Sequence, residues 1–409
     1  MNFAFTVFGC RLNQAEAAQW QDALEARGWK ATPIEQAEIL FVHSCAVTEP
    51  AAHEVLRTLH TLRAKRPTAK IILSGCAATL LPENVANLVI PHERKTEWLN
   101  EVLAFLQEPA TLVPLLTKVR HKTRATLIIQ DGCNQFCSYC IVPHLRGMPV
   151  SEPLPLLLRQ AERYFAEGYR EIVLTGCHLA LYRDADSGAD FVELLRHLLD
   201  IPGEGRFRIG SLEPCTLDDK ALIHLIKQSH GRICDFLHFP IQSGSNAVLE
   251  RMGRHYHQAD IRRLLDFVGE ELPLCGLGAD WIVGFPGETD ENAVETQSLI
   301  QDYPFTGAHL FPYSPRPGTA AASFTDAIPQ HRIKARVDAL TAIANTRQAQ
   351  TVSRYLDQPL MVIPEIQRHG QWEGWSAQHI RCQFSRATQR GLLVPFTPTR
   401  LAGTRLLEN

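Results

Sequence analysis

Three cysteines fall within eight residues in Cys133-Asn-Gln-Phe-Cys137-Ser-Tyr-Cys140. No other stretch constrains the chain as much. The thiols stand too close together to staple three separate strands. They suffice to grip three irons of a cubane cluster and leave the fourth iron without a protein ligand. An iron with an open position binds and reduces a small molecule, which points to redox chemistry rather than scaffolding. Two other readings fit the same residues. His144 lies four residues past Cys140, so a Cys₃His zinc knuckle stays open, and so do three buried thiols without metal. A ferredoxin run would end in Cys-Pro, and here Pro143 follows no cysteine.

The bulk properties narrow the setting. A chain of 409 residues accommodates two or three domains. The formal net charge of −3 gives no global basic signature, so a nucleic-acid partner must be met by local patches. Eleven cysteines in a chain this long do not make a secreted disulfide scaffold. Reduced thiols and a cytoplasmic location are expected. No apolar run approaches ~20 residues, so no membrane span is expected. Met1 to Cys10 lacks the positive region of a lipoprotein leader and is too short for one.

The first part alternates short apolar strands with amphipathic helices, which predicts a parallel α/β sheet. Strands are expected at Phe3–Phe8, Ile39–Val42 and Ile71–Leu73, and helices at 14–27 and 50–65. Cys10, Cys45 and Cys76 each follow a strand in a Gly-Cys or Ser-Cys context. The carboxyl edge of such a sheet is where ligands bind, so three distant thiols can converge on one point. The bland alternative is three small buried thiols. A connector from about 109 to 126 carries Lys118, Arg120, His121, Lys122 and Arg124, either a solvated linker or a phosphate-facing strip.

The middle reads as six strand–helix units, with strands at 126–130, 171–174, 206–209, 236–239, 277–283 and 308–311. Six units predict an incomplete barrel rather than a closed eightfold one. Thr175-Gly176, Glu213, Gln242-Ser243 and the Gly284 loop all follow strands, on the edge where barrels hold active sites. A long helix over 330–354 precedes short β-like runs at 360–363, 380–384 and 392–396. Arginines outnumber acids there, which suits a small basic β module that holds RNA. Trp372 and Trp375 are candidates for base stacking, although core packing is the commoner use of Trp.

These motifs together resemble the radical S-adenosylmethionine methylthiotransferases. The matching pieces are Phe8-Gly9-Cys10-Arg11-Leu12-Asn13-Gln14, Ser44-Cys45-Ala46-Val47-Thr48, Ser74-Gly75-Cys76 and the Cys133 loop. Pro143-His144-Leu145-Arg146-Gly147, Pro240-Ile241-Gln242-Ser243-Gly244, Gly284-Phe285-Pro286-Gly287-Glu288 and Tyr313-Ser314-Pro315-Arg316-Pro317-Gly318-Thr319 follow in order. Leu174-Thr175-Gly176-Cys177-His178 and Gly210-Ser211-Leu212-Glu213 lean toward the MtaB-type branch, which thiomethylates N6-threonylcarbamoyladenosine beside the tRNA anticodon. Related branches act on isopentenyladenosine in tRNA or on a ribosomal-protein aspartate.

The resemblance implies two [4Fe-4S] clusters. Cys133, Cys137 and Cys140 would hold the one that binds and cleaves S-adenosylmethionine to a 5′-deoxyadenosyl radical, and Cys10, Cys45 and Cys76 the one that delivers sulfur. It implies that Thr175, Gly176, Glu213, Gln242, Ser243 and Gly284 hold S-adenosylmethionine, with Tyr139 at its adenine. The remaining thiols, Cys177 among them, are read as structural. The implied fold is an N-terminal parallel α/β domain over 1–115, an incomplete (β/α)₆ barrel over 120–355 and a TRAM-like β module over 356–409. Implied partners are tRNA and an electron donor such as flavodoxin or ferredoxin, with the chain a monomer. Where the family commonly carries Arg-Ser-Arg, this chain has Val150-Ser151-Glu152, a loss of positive charge.

Overall fold

The computed structural model describes residues 1–109, 123–216 and 219–408. They form two compact units. One gathers 1–109, 132–148 and 314–322, and the other 123–131, 149–216, 219–313 and 323–408. Most of the basic connector, with Lys118, Arg120, His121 and Lys122, lies outside the described residues.

The first unit is built on a five-stranded parallel sheet in the order Lys30–Ala31, Asn2–Val7, Ile39–Ser44, Lys70–Gly75, Leu88–Val89. Its central strand, Ile-Leu-Phe-Val-His-Ser, is buried throughout. A near-continuous apolar run is what a parallel strand covered on both faces requires. On one face Phe3, Ile39, Phe41 and Ile72 pack against Trp20 and Leu24 of helix Arg11–Ala26, whose Trp20 stacks on Trp98 at 4.2 Å. On the other, Leu40, Val42, Ile71 and Leu73 meet Val55, Leu59 and Leu62 of helix Glu49–Lys65. Thr48 caps that helix by accepting from the Ala51 amide at 3.3 Å. Because the strands run parallel, their carboxyl ends share one edge, and the three N-terminal cysteines follow those ends.

The second unit contains six parallel strands, Ala125–Ile128, Glu171–Thr175, Arg206–Ile209, Phe236–Gln242, Gly276–Val283 and Phe305–Pro312. Two ladders of three are joined by the bridges Phe207 to Ile233 and Ser211 to His238. Leu174, Phe207, Leu237 and Trp281 pack outward against helix residues such as Leu157, Leu194, Leu264 and Leu299. This is the incomplete barrel expected from the strand–helix alternation. Helix Gln330–Ser353 follows, contributing Leu340 and Ala344 to the same core.

A curled six-stranded sheet ends the chain: Val394–Phe396, Leu360–Arg368, Gln371–Ser376, Arg381–Phe384, Arg405–Leu407, Arg400–Ala402 in spatial order. Pro395 sits on its edge strand, where a missing N–H costs no ladder bond. Trp372 is buried in the core of this sheet, and Trp375 stacks on His379 at 4.5 Å. Buried Glu171 receives Arg208 at 2.6 Å and Arg206 at 2.7 Å. The same arginines donate to the carbonyls of Ser376, Ala377 and Met361, which ties barrel to β sheet. No helix among the described residues is long and apolar enough to cross a membrane.

Candidate functional site

The N-terminal cysteines stand together. Cys45 and Cys76 are buried and Cys10 is exposed. Gly9, just before Cys10, has φ +92°, and a Cβ there would lie 2.7 Å from Cys45 Sγ. Only glycine allows that backbone to pass so close to the Cys45 thiol. Asn13 binds the three segments to one another. Its amide donates to the carbonyls of Phe8 at 2.9 Å and Ser44 at 2.6 Å, and its Oδ1 faces Cys76 Sγ at 3.6 Å. The Ser44 hydroxyl donates to the Ser74 carbonyl and accepts from the Ala77 amide, fixing the turn that carries Cys76. Burial raises the Cys45 thiol above its usual range, as does the neighbouring Cys10. Burial pushes Cys76 up to about 11, with the Arg146 guanidinium pulling the other way.

The Cys133 loop folds within this same unit. The Cys133 amide donates to the Gly147 carbonyl at 3.0 Å, closing the loop, and the Cys140 amide donates to the Cys137 carbonyl at 2.9 Å. Phe136 takes a left-handed φ of 44° and stays exposed, which leaves Cys137 buried and Cys133 and Cys140 half-buried around the turn. His144 packs edge-on against Phe136 at 5.9 Å. Tyr139 is half-buried, and the Ser138 carbonyl accepts from the Ala321 amide at 2.7 Å.

Arg146, at the end of the short helix after this loop, joins the two cysteine groups. Its Nε donates to Cys76 Sγ at 3.1 Å, and Nη2 donates to Asn13 at 2.8 Å and to Glu16 at 2.8 Å. Glu16 also receives Lys95 at 3.2 Å and meets His43 at 3.4 Å. Burial opposes its charge, but the His43 contact and Arg146 hold the carboxyl well below the usual carboxylate range. Asn13 and Arg146 belong to the motifs quoted above, yet spacing gave neither a role. A buried ion pair between residues 16 and 146 leaves no periodic trace in a sequence.

In the second unit the remaining candidates sit at the carboxyl ends of the barrel strands. Thr175 is buried at the end of its strand with Gly176 next to it. Gln242 ends strand Phe236–Gln242 with φ 70°. Ser243 is buried, and its hydroxyl accepts from the Ser245 amide at 3.2 Å. The Gly284 amide donates to the Glu288 carboxylate at 3.2 Å. Glu213 is buried between His178 at 3.0 Å and Arg254 at 2.8 Å, while its Oε1 has no hydrogen-bond partner. An orphaned carboxylate oxygen in a buried site suits a ligand with an N–H donor, such as the amino group of S-adenosylmethionine. Cys177, read as structural, has its Sγ 3.3 Å from Asp131. Val150–Ser151, where positive charge is lost, forms a short antiparallel pair with Gln130–Asp131 at the base of the Cys133 loop.

Burial raises the Glu213 carboxyl, but the His178 contact and the Arg254 charge outweigh it and leave its pKa lowered. A lowered carboxylate stabilises the fold above its unfolded pKa, and that contribution fades as pH falls through the folded value. Glu213→Gln should therefore cost about 2 kcal/mol at neutral pH. Its deficit against wild type should shrink as pH drops below the ordinary carboxylate range. Urea midpoints measured across a pH series check this, and a deficit that grows on acidification contradicts it.

The comparisons with known proteins agree with this layout. The model of the Radical SAM superfamily matches residues 127–300, and that of Uncharacterized protein family UPF0004 matches residues 2–92. The Thermotoga maritima protein named threonylcarbamoyladenosine tRNA methylthiotransferase MtaB is 32% identical over 92% of this chain and 90% of its own length. The Bacillus pumilus protein named tRNA-2-methylthio-N(6)-dimethylallyladenosine synthase is 32% identical over 89% of this chain and 76% of its own length. In fold, the radical S-adenosylmethionine methyltransferase TsrM of Kitasatospora setae superposes with a TM-score of 0.55 at 13% identity, over 76% of this chain and 72% of its own. Identity at this level along nearly the whole chain makes it a member of the radical S-adenosylmethionine methylthiotransferase family, a transferase of the MtaB type.

Proposed function

We propose that this chain thiomethylates C2 of N6-threonylcarbamoyladenosine at position 37 of tRNA. In this reading Cys133, Cys137 and Cys140 hold one [4Fe-4S] cluster and Cys10, Cys45 and Cys76 hold a second. Thr175, Gly176, Glu213, Gln242, Ser243, Gly284 and Tyr139 hold S-adenosylmethionine. When bound, these groups supply an electron, a hydrogen-abstracting radical and a sulfur. An adenine C2–H bond is too strong for acid–base removal, and a sulfur donor must stand within contact distance of the carbon that loses its hydrogen. The observation that carries the reading is the gathering of both cysteine groups in one compact unit, bound by Arg146. Residues 1–115 then serve sulfur delivery, 120–355 radical generation, and 356–409 the grip on tRNA. The electron donor is a flavodoxin or ferredoxin, and the chain acts as a cytoplasmic monomer.

The relative named for dimethylallyladenosine favours a second reading, in which the modified base is isopentenylated. Mass spectrometry of tRNA nucleosides from a deletion strain separates the two. Loss of the methylthio mark from threonylcarbamoyladenosine, with methylthio-isopentenyladenosine unchanged, is the expected result. The opposite pattern moves the substrate, and no change in either nucleoside removes tRNA from the proposal.

A further inference from the structure

Arg316 is a buried cation that no acid meets among the described residues. It belongs to the stretch 314–322, which lies in the same compact unit as both cysteine groups. That stretch is fixed at two points. The Ser314 hydroxyl accepts from the amide of Glu49, four residues past Cys45, at 3.1 Å. The Ala321 amide donates to the carbonyl of Ser138, next to Cys137, at 2.7 Å. Between these anchors Thr319 donates to the Arg316 carbonyl, by its hydroxyl at 2.7 Å and its amide at 3.1 Å. Gly318 makes that turn with φ +88°, a conformation that favours glycine. Arg316 is thus carried on a strap held at one end to the segment after Cys45 and at the other to the Cys133 loop.

The residue is 5% exposed, and its Nε is buried without a hydrogen-bond partner. A guanidinium stays charged when buried, so an anion must meet it there. Arg146, buried in the same unit, gives the comparison. Glu16 balances its charge at 2.8 Å, and its Nε donates to Cys76 Sγ at 3.1 Å. Arg316 has no such acid, yet its charge reaches the cysteines: burial raises the Cys45 thiol, while Arg146 and Arg316 pull it back. A side chain so little exposed offers no face to the phosphate of a polymer. The anion is therefore small and arises at the cysteine group itself, where Arg146 already donates from its Nε to a sulfur.

We infer that Arg316, fixed between the Cys45 and Cys133 segments, holds the small sulfur anion, hydrosulfide or methanethiolate, that the N-terminal cysteine group passes to the substrate. This rests on the two-cluster reading above. Arg146 secures Cys76, and Arg316 secures the sulfur in transit.

The test uses the full chain, reconstituted anaerobically with iron and sulfide, and sodium methanethiolate as the probe. Titration is followed by the electron paramagnetic resonance spectrum of the reduced protein, and iron per chain is counted in each sample. Wild type should show a tight, saturable phase that Cys45→Ala lacks. Arg316→Gln should keep about eight irons per chain and weaken that phase roughly tenfold to a hundredfold. Arg316→Lys, which keeps the charge without the planar fork, should fall between the two. If Arg316→Gln loses iron, the lysine variant decides. A weakened phase at full iron then supports the inference, and wild-type affinity or lost iron overturns it. Affinity within about twofold of wild type in Arg316→Gln at full iron overturns the inference and leaves the two-cluster reading intact. The absence of a tight phase in wild type does the same. A tight phase unchanged in Cys45→Ala overturns both.

Discussion

Cys45→Ala protein will still cleave S-adenosylmethionine reductively, yet it will form no methylthio product. Cys137→Ala protein will do neither. The contrast follows from where each thiol stands. Cys45 lies at the end of a fully buried parallel strand, against Gly9 and beside Cys10. Cys137 lies inside the loop between Cys133 and Cys140. Alanine at 45 removes one sulfur and creates no clash, so the sheet should survive at a cost of about 1 kcal/mol. Iron after anaerobic reconstitution should fall from about eight to about four per chain. The 5′-deoxyadenosine yield without RNA should stay within about twofold of wild type, while methylthiolated nucleoside drops at least about 100-fold. Liquid chromatography of both products in one reaction gives the answer. Thiomethylated tRNA from the Cys45 variant would sink the assignment of the N-terminal group. If deoxyadenosine also vanished, the two cysteine groups would not be separable in function.

What could be read before the structure, and what could not, follows from range. Three of the five strands of the N-terminal sheet and all six barrel strands are legible in the sequence, whereas Lys30–Ala31 and Leu88–Val89, two residues each, are too short to leave a pattern. Strand Gln371–Ser376 was not expected, since its two tryptophans were weighed only for base stacking or core packing. It becomes a strand through pairing on both sides, with Leu360–Arg368 and Arg381–Phe384. Helix Trp98–Leu106 was also missed, its nine residues offering little more than two turns of periodicity. The arginine excess of the C-terminal sheet looked like an open basic surface. In the structure Arg405 faces Glu373 at 3.5 Å and Arg386 faces Glu408 at 3.5 Å, so part of that charge is met locally. His238, Asp280 and His309 were invisible for a different reason. Each is a polar residue in a mostly apolar strand, and only strand pairing sets Asp280 opposite His309 and within 3.0 Å of His238. Arg146 shows the same limit at longer range. A motif marks the residue, but its partners Glu16, Asn13 and Cys76 come from segments that meet only when the sheet edge forms.

Arg146→Gln should produce the second large effect, through position rather than chemistry of its own. The side chain is 2% exposed and spends its donors on Cys76, Asn13 and Glu16. Removing it leaves the Glu16 carboxylate buried with Lys95 and His43 as its partners among the described residues. Breaking a buried ion pair by deleting one member costs about 3–5 kcal/mol. It also takes away a charged donor on the Cys76 sulfur and the contact between the loop helix and the N-terminal strand ends. Thermal unfolding should therefore start several degrees lower. Methylthiolation should fall more steeply than reductive cleavage of S-adenosylmethionine, because Cys76 is the displaced thiol. Arg146→Lys keeps the charge but cannot reach sulfur, amide and carboxylate at once, since an ammonium lacks the planar fork. It should recover most of the stability and little of the methylthiolation. If lysine restores both in equal measure, Arg146 matters to the fold alone. If glutamine leaves the ratio of the two activities unchanged, the contact with Cys76 has no part in sulfur delivery.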